Sequence, residues 1–185
     1  MKIQFENVSF RYESRKETES VSTLNFTIAS GEFILICGPS GSGKSTIGRI
    51  INGLAPNFYR GALTGKVLLD GIDITTIPQA ELAGSIGSVF QNPRTQFFDT
   101  NSTGELAFGC ENMGYPERKI KERVHRASQE FGLENLLDRD IFNLSGGEKQ
   151  KIACGSIYAV NPDVYIFDEP SSNLDFISIN ELAKI

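Results

Sequence analysis

A chain of 185 residues, 39% hydrophobic and 22% charged, has apolar content enough for one packed domain and too much for a disordered polymer. The net charge of −5, with no basic block, disfavours non-specific nucleic-acid binding. No apolar run approaches the roughly 20 residues of a membrane span, and the polar Met1-Lys2-Ile3-Gln4 start is unlike a secretory leader. Cys37, Cys110 and Cys154 are widely spaced and lack a C-x-x-C pair, so they read as reduced thiols, not as a disulfide or zinc framework.

Ile3 and Phe5, then Val8 and Phe10, alternate along residues 2–12 with a phase slip around Glu6-Asn7. That pattern predicts an antiparallel strand with a bulge. After the charged turn at 11–20, Leu24, Phe26 and Ile28 predict a second, half-exposed strand. Residues 33–37 are continuously apolar, the pattern of a parallel strand covered on both faces. Ile47, Ile50, Ile51 and Leu54 then mark the apolar face of a helix. Short strands are expected at 66–70 and 86–90, and helical sequence from about 103 to 137. In that stretch Ile120, Val124, Ala127 and Phe131 form one stripe, with the neighbouring charges on a solvated face. Another helix begins at 145, and 164–167 is expected as a second fully buried strand. The result is an α/β core interrupted by a helical insert and preceded by antiparallel strands.

Between the apolar run 33–37 and the first helix lies Gly38-Pro39-Ser40-Gly41-Ser42-Gly43-Lys44-Ser45-Thr46. Strand, G-x-x-x-x-G-K-[ST] loop and helix, in that order, form the context of a phosphate-binding loop. The glycines bring backbone N–H groups close to phosphate oxygens, and the helix adds the positive end of its dipole. Lys44 can reach the β- and γ-phosphates, and the Ser45 hydroxyl can ligate Mg²⁺. The ligand expected here is therefore a nucleoside triphosphate with Mg²⁺. Downstream, the strand at 164–167 ends in Asp168-Glu169, which suits one carboxylate near Mg²⁺ and one as general base for an attacking water. Leu144-Ser145-Gly146-Gly147-Glu148, taken alone, is a helix-capping turn and a second anion-binding helix start.

The order of these motifs, completed by Gln91 at a strand end and by Ser171-Ser172-Asn173-Leu174-Asp175, resembles the nucleotide-binding subunit of ABC ATPases over essentially the whole chain. The resemblance implies a P-loop NTPase fold, with residues 1–185 as a single nucleotide-binding domain and a helical subdomain at about 95–160. Residues 144–148 would be the signature motif that completes the ATP site of a facing subunit, with Ser145 and Gly147 touching the γ-phosphate held there. Asn173-Leu174-Asp175 corresponds to the D-loop, Gln91 to the Q-loop glutamine near Mg²⁺, and Tyr12 to the aromatic that stacks on adenine. Without the family, Tyr12 reads as a strand-end packing residue. The implied catalytic set is Glu169, Lys44 and Gln91; the implied metal set is Ser45, Gln91 and Asp168.

Phe90-Gln91-Asn92-Pro93, Thr95-Gln96-Phe97-Phe98 and Ala107-Phe108-Gly109-Cys110-Glu111-Asn112 give a narrower resemblance, to the ATPase component of energy-coupling-factor transporters. This implies an ATP-hydrolysing subunit, peripheral on the cytoplasmic face of the membrane, that powers import of a vitamin or transition-metal ion. Implied partners are a second ABC ATPase domain, identical or different, an integral coupling subunit and a substrate-binding membrane subunit, with no nucleic acid. Phe97 and Phe98 suit docking to the membrane partner or, equally, core packing. Glu148 stands where glutamine is commoner, and Ser171 where threonine is frequent. The family's switch-loop histidine follows the D-loop by some dozens of residues, whereas this sequence ends at Ile185, and its one histidine, His125, falls in the helical insert. The expectation is a chain truncated before the last core strands, with His125 a surface residue. Two alternatives are a catalytically impaired nucleotide-binding fragment and an ABC-type ATPase acting outside transport.

Overall fold

Ile3, Phe5, Val8 and Phe10 all point into one core from β1 (Ile3–Tyr12), and all are buried. The structure, a computed structural model, describes residues 1–14 and 18–171. It falls into two units, Met1–Ile86 and Gly87–Ile185, each taken here by itself.

In the first unit β1 is an inner strand of an antiparallel sheet ordered β2-β1-β3-β4, with β2 at Val21–Ile28, β3 at Gly61–Leu69 and β4 at Ile72–Asp73. Ile3 faces Ile28 on one side and Leu69 on the other; Tyr12 faces Gly61. The phase slip at Glu6-Asn7 is a bulge: the β1–β3 register shifts between Glu6 and Ser9, and Asn7 takes φ +52°. Gly65 opposite it has φ +78°, and a Cβ there would collide with the Asn7 carbonyl, so only glycine fits. Asn25 secures the bulge, accepting from the Asn7 N–H (2.8 Å) and donating to its Oδ1 (3.0 Å). Phe5 stacks on Phe26 with centroids 4.4 Å apart. Burying a ring of the size of Phe10 is worth about 2–3 kcal/mol before entropy is counted.

The loop after β2 leads into α1 (Lys44–Ile51), which buries Thr46, Ile50 and Ile51. The short α2 (Leu54–Asn57) and α3 (Gln79–Ser85) follow on either side of β3 and β4. Gln79 donates from Nε2 to the Asn52 carbonyl at 3.0 Å, tying the start of α3 to the end of α1.

Two expectations are corrected. Residues 33–37 are not a buried strand: among the described residues none pairs with them, and Phe33 is 90% and Leu35 76% exposed. A parallel strand is stable only with ladder partners and covering layers, and local apolarity cannot supply either. Likewise 164–167 is a strand, β6 (Val164–Phe167), but a half-exposed one, with outward-facing Tyr165 and Phe167 stacked on each other. Its hydrogen-bonded neighbour is β5 (Ile86–Val89).

In the second unit the helical stretch resolves into α4 (Ser102–Asn112) and α5 (Glu117–Glu130), followed by α6 (Gly146–Val160). Asn101 caps α4 through its side chain, accepting from Thr103 N and Gly104 N. The three helices enclose Leu106, Val124, Leu133, Leu136, Leu144 and Ile152, with Phe97, Ile120 and Phe131 packed at the edge. The stripe predicted on α5 is therefore its inner face. Arg123 crosses from α5 to the last carbonyls of α6, donating to Ala159 O (2.8 Å) and Val160 O, and lies against the Tyr115 ring.

Candidate functional site

In the first unit, residues 38–46 form the turn and helix start that the motif requires. Gly43 is the residue before α1, with φ +96°, and an added Cβ would strike the Ser20 carbonyl and Val21. Position 43 is thus closed to any other residue by conformation and by space. No side chain caps α1 and its first turn holds no acidic residue, so the positive end of the helix dipole faces the loop. Lys44 curls back and donates from Nζ to the Gly38 (3.0 Å) and Pro39 (3.1 Å) carbonyls. Gly38, Pro39, Ser40, Gly41 and Ser42 are exposed, Ser45 is half-buried, and Thr46 is buried. The cradle is open on its ligand side and fixed on its protein side.

Tyr12 belongs to the same neighbourhood. Its hydroxyl lies 3.1 Å from Thr46 Oγ1 and accepts from Arg49 Nη1 at 3.0 Å. An open cleft of about 580 Å³ lies along Tyr12, lined also by Arg11, Glu13, Pro56, Arg60 and Gly61. Its size falls in the range of small-molecule sites.

In the second unit, β5 and β6 bring Gln91, Asp168 and Glu169 together. The Asp168 N–H donates to the Val89 carbonyl at 3.0 Å, continuing the strand pairing to the carboxylate pair. Gln91 donates from Nε2 to Glu169 Oε2 at 3.1 Å. Glu169 has φ +49°, a left-handed conformation that costs a non-glycine residue about 1–2 kcal/mol. Beyond Gln91 the chain is fixed by Gln96, which is buried. Gln96 accepts from the Phe90 N–H (3.1 Å) and donates to the Ala153 carbonyl on α6 (3.3 Å). Phe97 packs on the helical core, whereas Phe98 is 75% exposed and stacked on Phe108.

Ser145 caps α6, and with Glu148 it forms a reciprocal capping box. Ser145 Oγ accepts from Glu148 N (3.3 Å), and the Glu148 carboxylate accepts from Ser145 N (2.7 Å). These bonds hold the Glu148 carboxyl below its ordinary range. Gly147 lies in the first turn, half-buried. Lys149 is turned inward and donates to the Phe142 (3.0 Å) and Leu144 carbonyls, which braces the loop before the cap. Glutamate at position 148, where glutamine is commoner, thus has a structural role. His125 is exposed on α5, as expected. Asn173, Leu174 and Asp175 lie outside the described residues.

The donors expected for Mg²⁺ are a hydroxyl (Ser45), an amide (Gln91) and a carboxylate (Asp168), all hard oxygen ligands of the kind that ion takes. Sequence reasoning gave no role to Arg49, and placed Gln96 only as part of the Thr95-Gln96-Phe97-Phe98 stretch. Arg49 sits one turn after Ser45 on the helix, a spacing that could have flagged it; Gln96 acts through backbone groups, which leave no motif of their own.

Residues 21–172 match the family model described as ABC transporter. A Treponema denticola protein named as an ABC transporter ATP-binding protein is 44% identical over 183 residues, covering 99% of this chain and 37% of the relative. A Pyrococcus abyssi protein of the same designation is 39% identical, covering 99% of this chain and 65% of the relative. The chain thus spans well under half of the first relative and under two thirds of the second. Among solved structures, cbiO1 from Clostridium perfringens, described as part of the ABC transporter complex cbiONQ, superposes with a TM-score of 0.82. It is 32% identical, over 98% of this chain and 70% of that one. A bacterial Atm1-family ABC exporter with ATP bound gives 0.78 at 28% identity, over 99% of this chain and 31% of that one. Phosphate loop, carboxylate pair and capped glycine turn therefore stand in a chain that belongs to the ABC transporter family, as an ATP-binding domain of its P-loop NTPase fold.

Proposed function

We propose that this chain binds and hydrolyses ATP as the motor subunit of an energy-coupling-factor importer. The observation that carries the catalytic part is the Gln91–Glu169 hydrogen bond, which aims an amide at the carboxylate that ends β6. In this reading residues 1–185 belong to a single nucleotide-binding domain. The loop N–H groups and Lys44 hold the triphosphate, and Tyr12 stacks on the adenine. Ser45, Gln91 and Asp168 would hold Mg²⁺, which when bound offsets charge on the phosphate oxygens. Glu169 takes a proton from water as its oxygen attacks the γ-phosphorus, and the bond to the ADP oxygen breaks. Lys44 draws off the spreading negative charge.

Ser145 and Gly147 have no role toward their own chain's phosphate loop in this scheme; they serve the nucleotide of a facing ATPase domain. Phe98, stacked on Phe108 beside the Gln91 segment, is the contact for the membrane coupling subunit. The similarity to cbiO1, described as part of the ABC transporter complex cbiONQ, supports a place in a transporter complex; the vitamin or metal-ion cargo rests on the sequence resemblance alone. In this reading the subunit is peripheral on the cytoplasmic membrane face. Glu169→Gln in the full chain should bind ATP as before and lose at least about 100-fold in turnover; unchanged turnover would remove Glu169 as the base.

A further inference from the structure

We propose that Arg49 is a positioning residue for Tyr12: it fixes the ring as a platform for the nucleobase and ties that platform to the helix that begins in the phosphate loop. The proposal rests on the reading of residues 38–46 as a nucleoside-triphosphate site and of Tyr12 as its stacking residue.

All the groups involved lie in the first unit. The Tyr12 hydroxyl accepts a hydrogen bond from Arg49 Nη1 at 3.0 Å and lies 3.1 Å from Thr46 Oγ1, which is buried. A phenol has one proton to give; with Arg49 supplying a donor, that proton is available for Thr46, and the hydroxyl is committed inward. The Arg49 guanidinium is itself held, with its carbon 4.1 Å from the centre of the Tyr59 ring. Tyr59 is braced in turn by an edge contact with Phe58 at 5.1 Å. On the strand side the fully buried Phe10 meets Tyr12 edge-on at 4.8 Å and 86°. Ring and hydroxyl are thus each fixed by a separate contact, and rotation of Tyr12 about either side-chain bond breaks one of them.

Tyr12 is also the aromatic residue among those lining the open cleft of about 580 Å³. A ligand stacking there meets a side chain that is already ordered and need not give up rotamer freedom on binding. Preorganisation of one rotamer-rich side chain is worth about two- to tenfold in affinity. Thr46 and Arg49 are both on α1, whose first residue is Lys44, so the same helix sets the base platform and the phosphate loop. Arg49 also suits this post better than lysine would, because a planar guanidinium can stack on Tyr59 and donate in its own plane to Tyr12 together.

The test compares ATP with inorganic tripolyphosphate, which uses the phosphate loop alone, by calorimetry on the full chain. Tyr12→Phe keeps the ring and removes the hydroxyl; Arg49→Met removes the donor. Each should weaken ATP two- to tenfold and leave tripolyphosphate unchanged, and the double variant should be no weaker than the poorer single. Equal losses for both ligands would place Arg49 in support of the loop and overturn the proposal, as would an additive double variant or unaltered ATP affinity. Tyr12→Ala checks the underlying reading: it should abolish the advantage of ATP over tripolyphosphate. If it does not, the stacking role fails, and the positioning role with it.

Discussion

Glu105 on α4 serves as a hydrogen-bond acceptor and carries a buried charge, and two substitutions separate these roles. It is 3% exposed, and its Oε2 accepts from the backbone N–H groups of Phe98 (2.8 Å) and Asp99 (2.9 Å). Those two bonds set the turn that presents Phe98. Burial raises the Glu105 carboxyl above its ordinary value of 4.5, outweighing the two N–H bonds, and the nearby Asp99 charge adds to the rise. Glu105→Ala leaves two half-buried N–H groups without their acceptor, at about 1–3 kcal/mol each, so a loss of about 2–6 kcal/mol is expected. Glu105→Gln keeps a carbonyl for both N–H groups and deletes the charge, and should change stability by less than about 1 kcal/mol at neutral pH. The pH dependence has a definite sign. A carboxyl with a raised folded-state pKa contributes stability fully below its unfolded pKa and loses it as pH rises through the raised value. The glutamine variant lacks that component, so relative to the parent it should gain as pH rises from about 4.5 through that window. Urea denaturation of the full chain over a pH series, read as midpoints at constant m, measures both effects. The reasoning is refuted if Glu105→Gln is as damaging as Glu105→Ala, or if the difference between Gln variant and parent is flat with pH.

Gly43→Ala should cost at least about 1–2 kcal/mol from its φ of +96° alone, with more from the clash with Ser20, and should abolish ATP binding measured by calorimetry. Glu148→Gln should weaken the capping box by about 0.5–1 kcal/mol at neutral pH. Because the Glu148 carboxyl is held low, its contribution is present above the unfolded pKa and disappears as pH falls through the lower folded value, so parent and variant stabilities should converge on acidification. Cys154 is buried and its thiol is pushed up to about 12, whereas Cys37 is exposed. Iodoacetamide at pH 8 should therefore modify Cys37 in the folded chain and reach Cys154 and Cys110 only after denaturation, as mass spectrometry of the peptides will report.

Where the chemistry depends on residues adjacent in sequence, the site could be read directly. The glycine-rich turn with its helix start and the Ser145 cap are local arrangements whose backbone needs are written in consecutive residues, and both take the expected form, whereas the strand expected before the loop does not form and the strand that ends in Asp168-Glu169 is half-exposed. The bulge was legible for the same reason, because a slip in a period of two must be absorbed somewhere along one strand. Residues 33–37 show the opposite case. Their apolar run describes an environment, covered on both faces, that only distant segments can provide, and among the described residues no strand pairs with them. The roles of Gln96 and Glu105 were illegible for a third reason: each serves backbone groups, and a backbone N–H or carbonyl has no sequence identity to read.

These side chains share a feature that bears on energetics. Lys44 is engaged with the loop carbonyls, Glu169 with Gln91, and Ser145 with Glu148, each within its own unit. A phosphate that draws Lys44 away exchanges neutral carbonyl acceptors for a charged one, a gain of about 1 kcal/mol per bond and not the full value of a new bond. Activation of Glu169 likewise requires Gln91 to give up its hydrogen bond or to share it with water. The engagement of Ser145 differs, because its box caps a 15-residue helix. In the proposed dimer, withdrawing the hydroxyl toward a partner's phosphate would uncap α6 by about 1 kcal/mol unless the phosphate oxygens accept from the same N–H groups. A helix N-terminus binds anions through those very donors, so the exchange would be compensated. In the proposed facing arrangement the Ser145 turn would pass from internal cap to intermolecular ligand with little net change in helix stability. Of the three engagements, its exchange is the least costly to α6.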